Sequence, residues 1–238
     1  YINTSRRGAE LIKYASNAFL ATKITFINEV ANLCEKANVN VEDISIGMGL
    51  DKRIGSRFLR AGPAYGGSCF PKDTRAIVDT AKSFGSDLSI IKSVIKSNEN
   101  RSKILLSRVS KILKNKLKNK KISFLGVTFK ANTDDMRESS SLKMIPYLAS
   151  KGAKIKYYDP TGYKKEFKKI KNVSNSTSIK KACEDSDLII IHTEWNDFKS
   201  LNFKTISKKK NFIIYDMRNI LSADKMKKDK IKYFGIGR

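Results

Sequence analysis

Cysteine, proline, histidine and tryptophan are all scarce in this 238-residue chain: three, four, one and one respectively. Cys34, Cys69 and Cys183 are odd in number and lack metal-ligand spacing, which argues against a disulfide scaffold and against a zinc site. A reducing cytoplasm is the expected compartment. No apolar run approaches the roughly 18–20 residues that span a bilayer, the longest strong one being 188–191, so no membrane partner is expected. The first seven residues contain no apolar segment of the signal-peptide kind. Disorder is excluded as a global description, because hydrophobic residues make up 40% of the chain and 12 Phe and 9 Tyr supply core material. The length suits two small domains better than one.

Acidic residues are also few: 23 against 48 Lys and Arg, a net charge of +25. Such a balance raises nucleic acid as a partner. The excess is even, however, with 21 basic and 10 acidic residues before Asn119 and 27 and 13 from it onward. The densest runs, 114–121, 208–210 and 225–232, are lysine-dominated and carry no interleaved aromatics for base stacking. A solvated lysine surface is therefore expected, and nucleic acid is not the expected partner.

The first half has helical periodicity. Apolar residues recur every three or four positions from Ala9 to Cys34, with Thr4 or Ser5 as a cap and Asn38 near the end. A short helix is expected over 41–49, then a Gly/Pro-rich loop over 51–72, then helices over 73–84 and from Asp87 to Leu117. From Lys121 the period changes. Strands are expected at 121–127, 154–158, 187–192, 212–215 and 233–236, with helices at 139–150 and 178–184 between them. The fold class that follows is mixed: an all-α domain over 1–118, whose amphipathic helices are expected to form a dimer, then a doubly wound, Rossmann-like α/β domain over 119–238. One thing is missing from that second domain. Its first strand-to-helix turn carries a single glycine, Gly126, where a dinucleotide fingerprint needs G-x-G-x-x-G.

The densest chemical signal is the loop running from Arg60 to Asp73. Pro71 suits the start of a helix, so Cys69 falls at or just before a helix N-terminus, where the dipole and Lys72 favour a thiolate. Cys69 is read as a nucleophile and Asp73, one turn on, as an acid/base. The two glycines before it, Gly66 and Gly67, allow close approach of a substrate. The sole histidine, His192, lies in the other half and is read as structural rather than as the base of a Cys/His pair. Lys13 and Asn17 share a helix face at i, i+4 and could together stabilise an oxyanion. Phe129, Lys130, Arg137 and Arg218 follow strands of the second domain on the sheet edge where ligands bind, and the three cations suit a phosphate-bearing ligand.

These residues resemble a known family. The segments 9–17, 66–73, 126–130 and 137–140, with the ending Tyr233–Arg238, are similar to the UDP-glucose/GDP-mannose dehydrogenases over nearly the whole chain. Arg53-Ile-Gly and Phe58-Leu resemble the UDP-glucose branch, and Ser68 departs from the UDP-N-acetylhexosamine branch, which has histidine there; the GDP-mannose branch is the alternative. The resemblance implies an NAD-dependent oxidoreductase that oxidises C6 of a UDP-sugar twice. Cys69 would attack the C6 aldehyde, giving a thiohemiacetal and then a thioester that water cleaves. Lys13 and Asn17 would hold the oxyanion and Asp73 would orient or activate the water. Arg60, Tyr65, Gly66, Phe129, Lys130 and Arg218 would contact substrate together with Lys13 and Asn17, and Arg53 would do so across a homodimer interface. Lys72 and Arg137 would touch NAD. The chain starts where the family's NAD-binding domain should already have ended, so it is expected to hold the helical and nucleotide-sugar domains only and to be inactive alone. A nucleotide-sugar or nucleic-acid binding module without catalysis is the alternative from a different class.

Overall fold

The computed structural model describes residues 1–238 and contains eight α-helices and one six-stranded parallel sheet. Four helices come first: α1 (Arg6–Ala37), α2 (Val41–Leu50), α3 (Cys69–Ser83) and α4 (Ser89–Ile112). Ser5 caps α1 by accepting from Gly8 N, and Asn38 closes it in the left-handed region at φ 54°. The helix expected to reach Leu117 stops at Ile112, five residues earlier. There Lys114 and Asn115 both turn to positive φ, and Asn115 N bonds back to Ser110 O, which closes the last turn.

The strands are β1 (Lys121–Leu125), β2 (Lys154–Tyr158), β3 (Val173–Asn175), β4 (Leu188–Ile191), β5 (Ile213–Asp216) and β6 (Lys232–Gly235). The intervening helices are α5 (Ser141–Ser150), α6 (Ile179–Cys183), α7 (Phe203–Ile206) and α8 (Ala223–Lys228). Strand order is β3-β2-β1-β4-β5-β6, so the chain reverses direction across the sheet between β1 and β4. The crevice outside the carboxyl ends of those two strands is the switch point where such sheets bind ligands. β4 is buried throughout, which explains its unbroken Leu188–Ile191 run in place of alternation. β3, α7 and α8 are too short to leave a periodic signal and had no counterpart in the sequence reading.

A single hydrophobic cluster runs through both halves, joining Ile27, Ala31 and Leu105 to Phe124, Ile145 and Tyr215. The C-terminal segment fastens the same seam: Val41 N bonds Gly237 O and Gly237 N bonds Glu35 Oε1, both at 2.8 Å. No helix is long and apolar enough to cross a membrane.

Candidate active site

Cys69 is the first residue of α3 and is exposed, whereas Cys34 and Cys183 are buried. Burial pushes the Cys183 thiol up to about 12. The helix geometry places Asp73 one turn after Cys69 on the same face. Asp73 has no solvent exposure. Asn17 Nδ2 donates to its Oδ2 at 2.6 Å, Lys13 Nζ lies 3.6 Å from the same oxygen, and Lys72 Nζ lies 3.9 Å from Oδ1. Oδ1 accepts no hydrogen bond. Packing of α1 on α3 thus gathers Lys13, Asn17, Cys69, Lys72 and Asp73, residues drawn from the two ends of the stretch 13–73.

The Gly66-Gly67 pair docks on the sheet half. Gly67 has φ +77°, and a Cβ there would stand 2.7 Å from Phe129 Cζ. Its amide donates to Arg137 O at 2.8 Å, and a Cβ on Gly66 would meet Glu138 O at 2.7 Å. Only glycine lets the cysteine loop lie under Phe129. Lys130 Nζ sits 5.3 Å from the Phe129 ring centre. Arg137 is exposed and forks onto Asp135 with two 2.9 Å bonds. That pairing is the main cause holding the Arg137 guanidinium above its ordinary value, and the charge of Cys69 adds to it.

Arg218, just beyond β5, reaches the switch point. Its Nε donates to His192 O at 2.9 Å and its Nη2 to Phe129 O at 2.7 Å, while Glu194 Oε2 lies 2.9 Å from Nε. Burial lowers the Arg218 pKa, the Glu194 charge opposes that, and Arg60 adds to it. Arg60 and Arg218 line one cleft of about 220 Å³ with Ser45, Leu59 and Asn219. His192 is 1% exposed, bonded to Ser140 Oγ at 2.8 Å and Thr193 Oγ1 at 3.2 Å, and burial depresses it to about 3. Both ring nitrogens are engaged, and burial with the nearby Arg218 charge favours the neutral ring, as expected of a structural group.

Two expected residues stand apart from this cleft. Tyr65 is buried against Ala21, Val94 and Phe70, and its backbone N and O are both taken by the Asn98 side chain at 3.0 and 3.1 Å. Arg53 is exposed and turned onto Asp51 at 2.7 Å. The sequence reading missed the groups that hold the loop. Asn28 Oδ1 accepts from Gly62 N at 2.8 Å, and the buried Arg101 donates twice to Gly62 O. Asn28 and Arg101 occupy otherwise core-facing positions, which is the signal that could have found them. Glu194 follows directly on His192-Thr193 at the switch point, and that placement was its signal.

Known proteins match this arrangement. Two family models fit: the central domain of the UDP-glucose/GDP-mannose dehydrogenase family over residues 7–100, and that family's UDP binding domain over 123–223. The UDP-glucose 6-dehydrogenase of Rhizobium meliloti is 44% identical over 236 residues, covering 99% of this chain and 54% of that protein. That of Rickettsia typhi is 45% identical over 240 residues, covering 100% and 55%. A UDP-glucose dehydrogenase structure from Pyrobaculum islandicum superposes with TM-score 0.85 at 32% identity, covering 98% of this chain and 52% of that one. The chain therefore spans about half the length of the curated relatives it matches. With both family models placed along it and relatives aligned nearly end to end, the chain belongs to the UDP-glucose/GDP-mannose dehydrogenase family.

Proposed function

We propose that this chain carries the nucleotide-sugar site and the nucleophilic cysteine of an NAD-dependent UDP-glucose 6-dehydrogenase, which takes C6 from alcohol through aldehyde to acid. Residues 1–118 would form the dimerising helical unit and 119–238 the UDP-sugar unit. The observation that carries the reading is the meeting of Lys13, Asn17 and Asp73 one helical turn from an exposed Cys69. UDP-glucose is favoured over GDP-mannose by the 44–45% identical relatives.

In this reading the UDP-sugar diphosphate lies between Arg60, Lys130 and Arg218, with Phe129 and the Gly66 backbone forming the wall towards Cys69. The Cys69 thiolate adds to the C6 aldehyde carbon, and the carbonyl π pair moves onto oxygen. Lys13 by charge and Asn17 by its remaining Nδ2 hydrogen stabilise that oxyanion. At the thioester stage Asp73, whose Oδ1 is free, takes a proton from water as the water oxygen bonds to C6 and Cys69 leaves as thiolate. Arg53 would reach the nucleotide sugar of a second copy.

NAD would supply the hydride acceptor. The β1 turn does not fit its pyrophosphate, because Asp159 Oδ2 already accepts from Val127 N at 2.8 Å and Thr128 N at 3.4 Å. A carboxylate occupies the amides that phosphate would need. Gly126 cannot open the turn either, since Thr193 fills the space beside its α-carbon. Lys72 and Arg137, exposed cations near Cys69, are the residues left to touch a dinucleotide held outside this sheet.

Calorimetry tests the proposal. UDP-glucose should bind saturably near ~1 mM, where about 4 kcal/mol suffices, and Arg218→Ala should weaken it at least tenfold. NAD alone should give no measurable heat. No saturation by UDP-glucose, or no effect of Arg218→Ala, would overturn the reading.

A further inference from the structure

Most lysines of this chain face open water, but one group of cations surrounds a cleft at the seam of the two halves. Where the C-terminal end of α4 crosses β5 and β6, Arg108, Lys111, Lys114, Lys232 and Arg238 line about 390 Å³ against a single carboxylate, Glu35. Three buried polar atoms of lining residues, Arg108 Nη1, Tyr215 Oη and Arg238 Nε, make no well-formed hydrogen bond; Arg108 lies beside the Tyr215 hydroxyl but, being a donor only, leaves its O–H without an acceptor. They are three of the chain's seven such atoms, so the deficit is concentrated here. Tyr215 is 1% exposed, and a buried O–H without an acceptor costs on the order of 1–3 kcal/mol unless something accepts from it.

The neighbouring carboxylates are already committed. Glu35 Oε2 pairs with Arg108 Nη2 at 2.8 Å, Glu35 Oε1 accepts the Gly237 amide, and Glu42 pairs with Arg238. Lys111, Lys114 and Lys232 have no carboxylate within 4.0 Å. Deeper in, Arg101 has none either and shares Asn32 Oδ1 with Arg108, at 2.6 and 2.7 Å. Burial and the like charge of Arg108 lower Arg101 to about 10. The dipole of α4 accounts for Lys111 and Lys114 at its C-terminal end. It does not account for Lys232 on β6 or for the unpaired donors.

Donors without acceptors beside three lysines that lack a carboxylate call for a small oxyanion with several accepting oxygens. Phosphate groups meet that description, and arginine forks suit their geometry. We propose that this seam cleft is a binding site for a phosphate-bearing small molecule, separate from the Cys69 cleft and held by side chains of both halves. It shares no lining residue with the Arg60–Arg218 cleft, and it does not depend on the proposed dehydrogenase chemistry.

Inorganic pyrophosphate is the probe, titrated calorimetrically into the 238-residue chain at 150 mM NaCl. A saturable one-to-one isotherm is expected. Lys114→Ala/Lys232→Ala should raise Kd at least tenfold, while Lys225→Ala/Lys227→Ala, on α8, should change it less than twofold. Amide shifts in the ¹H–¹⁵N spectrum should concentrate at 113–115 and 234–237. Non-saturating heats, or equal losses in the two double variants, mean screening of a basic chain only and overturn the site. Shifts confined to the surroundings of Cys69 and Arg218 place the anion in the other cleft and overturn it equally.

Discussion

Asn17 Nδ2 donates to Asp73 Oδ2 at 2.6 Å, so a carboxylate with no solvent exposure is held by an amide from a helix 56 positions away in sequence. Lys13, 3.6 Å off, is 60% exposed and solvent screens most of its contribution. The amide is therefore the stronger restraint on Asp73. It leaves Oδ1 without a hydrogen bond but buried, 3.9 Å from Lys72 Nζ, so a water would have to enter beside it before Asp73 could act on one.

Replacing Asn17 by Ala should destabilise the fold by roughly 1–3 kcal/mol, since it strands a buried charged acceptor. Asn17→Ala and Asp73→Ala should be strongly coupled. Urea unfolding of both single variants and the double variant gives the coupling. A value under about 0.5 kcal/mol would show that the two groups do not hold each other.

Alkylation separates the three thiols. Cys69 is exposed at the start of a 15-residue helix, while Cys34 and Cys183 are buried and the Cys183 thiol stands near 12. Iodoacetamide at pH 7.5 should label Cys69 at least tenfold faster than either. Saturating UDP-glucose should slow that reaction. Peptide mass spectrometry reads both effects, and equal labelling of the three would remove Cys69 from the nucleophile role.

The parts of the fold that were legible are those where local chemistry and tertiary packing agree. Ser5 and Asn38 mark the ends of α1 because a cap satisfies the helix whatever packs on it. Leu188–Ile191 reads as a buried strand because both its faces are covered. The end of α4 was misplaced because apolar spacing continues to Leu117 while Lys114 and Asn115 have already left helical space, and side-chain identity alone does not mark that. Cys69 and Asp73 could be paired from spacing, but the bond from Asn17 to Asp73 joins separate helices and needed the fold. Tyr65, expected as a substrate contact, lies packed away from the Arg60–Arg218 cleft, and the reason is again tertiary. An aromatic beside two glycines looks available, yet Asn98 and Val94 on α4 claim its backbone and its ring.

Gly67→Ala tests whether the cysteine loop must lie under Phe129. The residue would carry a Cβ 2.7 Å from Phe129 Cζ and hold φ +77°, each costing on the order of 1 kcal/mol or more. The loop should lift, weakening UDP-glucose at least tenfold while the circular-dichroism spectrum is retained. Phe129→Ala in the same chain removes the clash and should restore part of the stability. An unchanged affinity in Gly67→Ala would detach the loop from the ligand site.

His192 predicts an acid limb in the stability curve. Its folded-state pKa is depressed to about 3, from an ordinary 6.5, by burial first and by Arg218 second. Between those values the unfolded chain binds a proton that the native one does not, so stability falls as pH drops below about 6.5. At pH 5 the loss should be about 2 kcal/mol relative to pH 7.5. His192→Gln, which keeps a donor and an acceptor near Ser140, should flatten the curve over that window. A parallel curve in the variant would assign the acid sensitivity to other groups.

The outer face of α1 predicts assembly. Ile12, Phe19, Phe26 and Leu33 recur every seven residues and are 48–65% exposed, while Ala18, Ala21 and Ala31 of the same helix are buried. A heptad-spaced apolar stripe on a 32-residue helix has the spacing that would seat a second copy, and the prediction is that it does so. Burying the exposed half of each side chain gives about 1 kcal/mol, hence roughly 8 over two copies. That falls within the range of about 4–15 kcal/mol that association costs, so the stripe tips the balance instead of dominating it. The chain should sediment as a dimer at micromolar concentration, and Phe19→Asp/Phe26→Asp should sediment as a folded monomer. The same variant should lose UDP-glucose affinity if Arg53, turned outward onto Asp51, completes the site of the second copy. A wild-type monomer at these concentrations would sink both the seam and the role of Arg53.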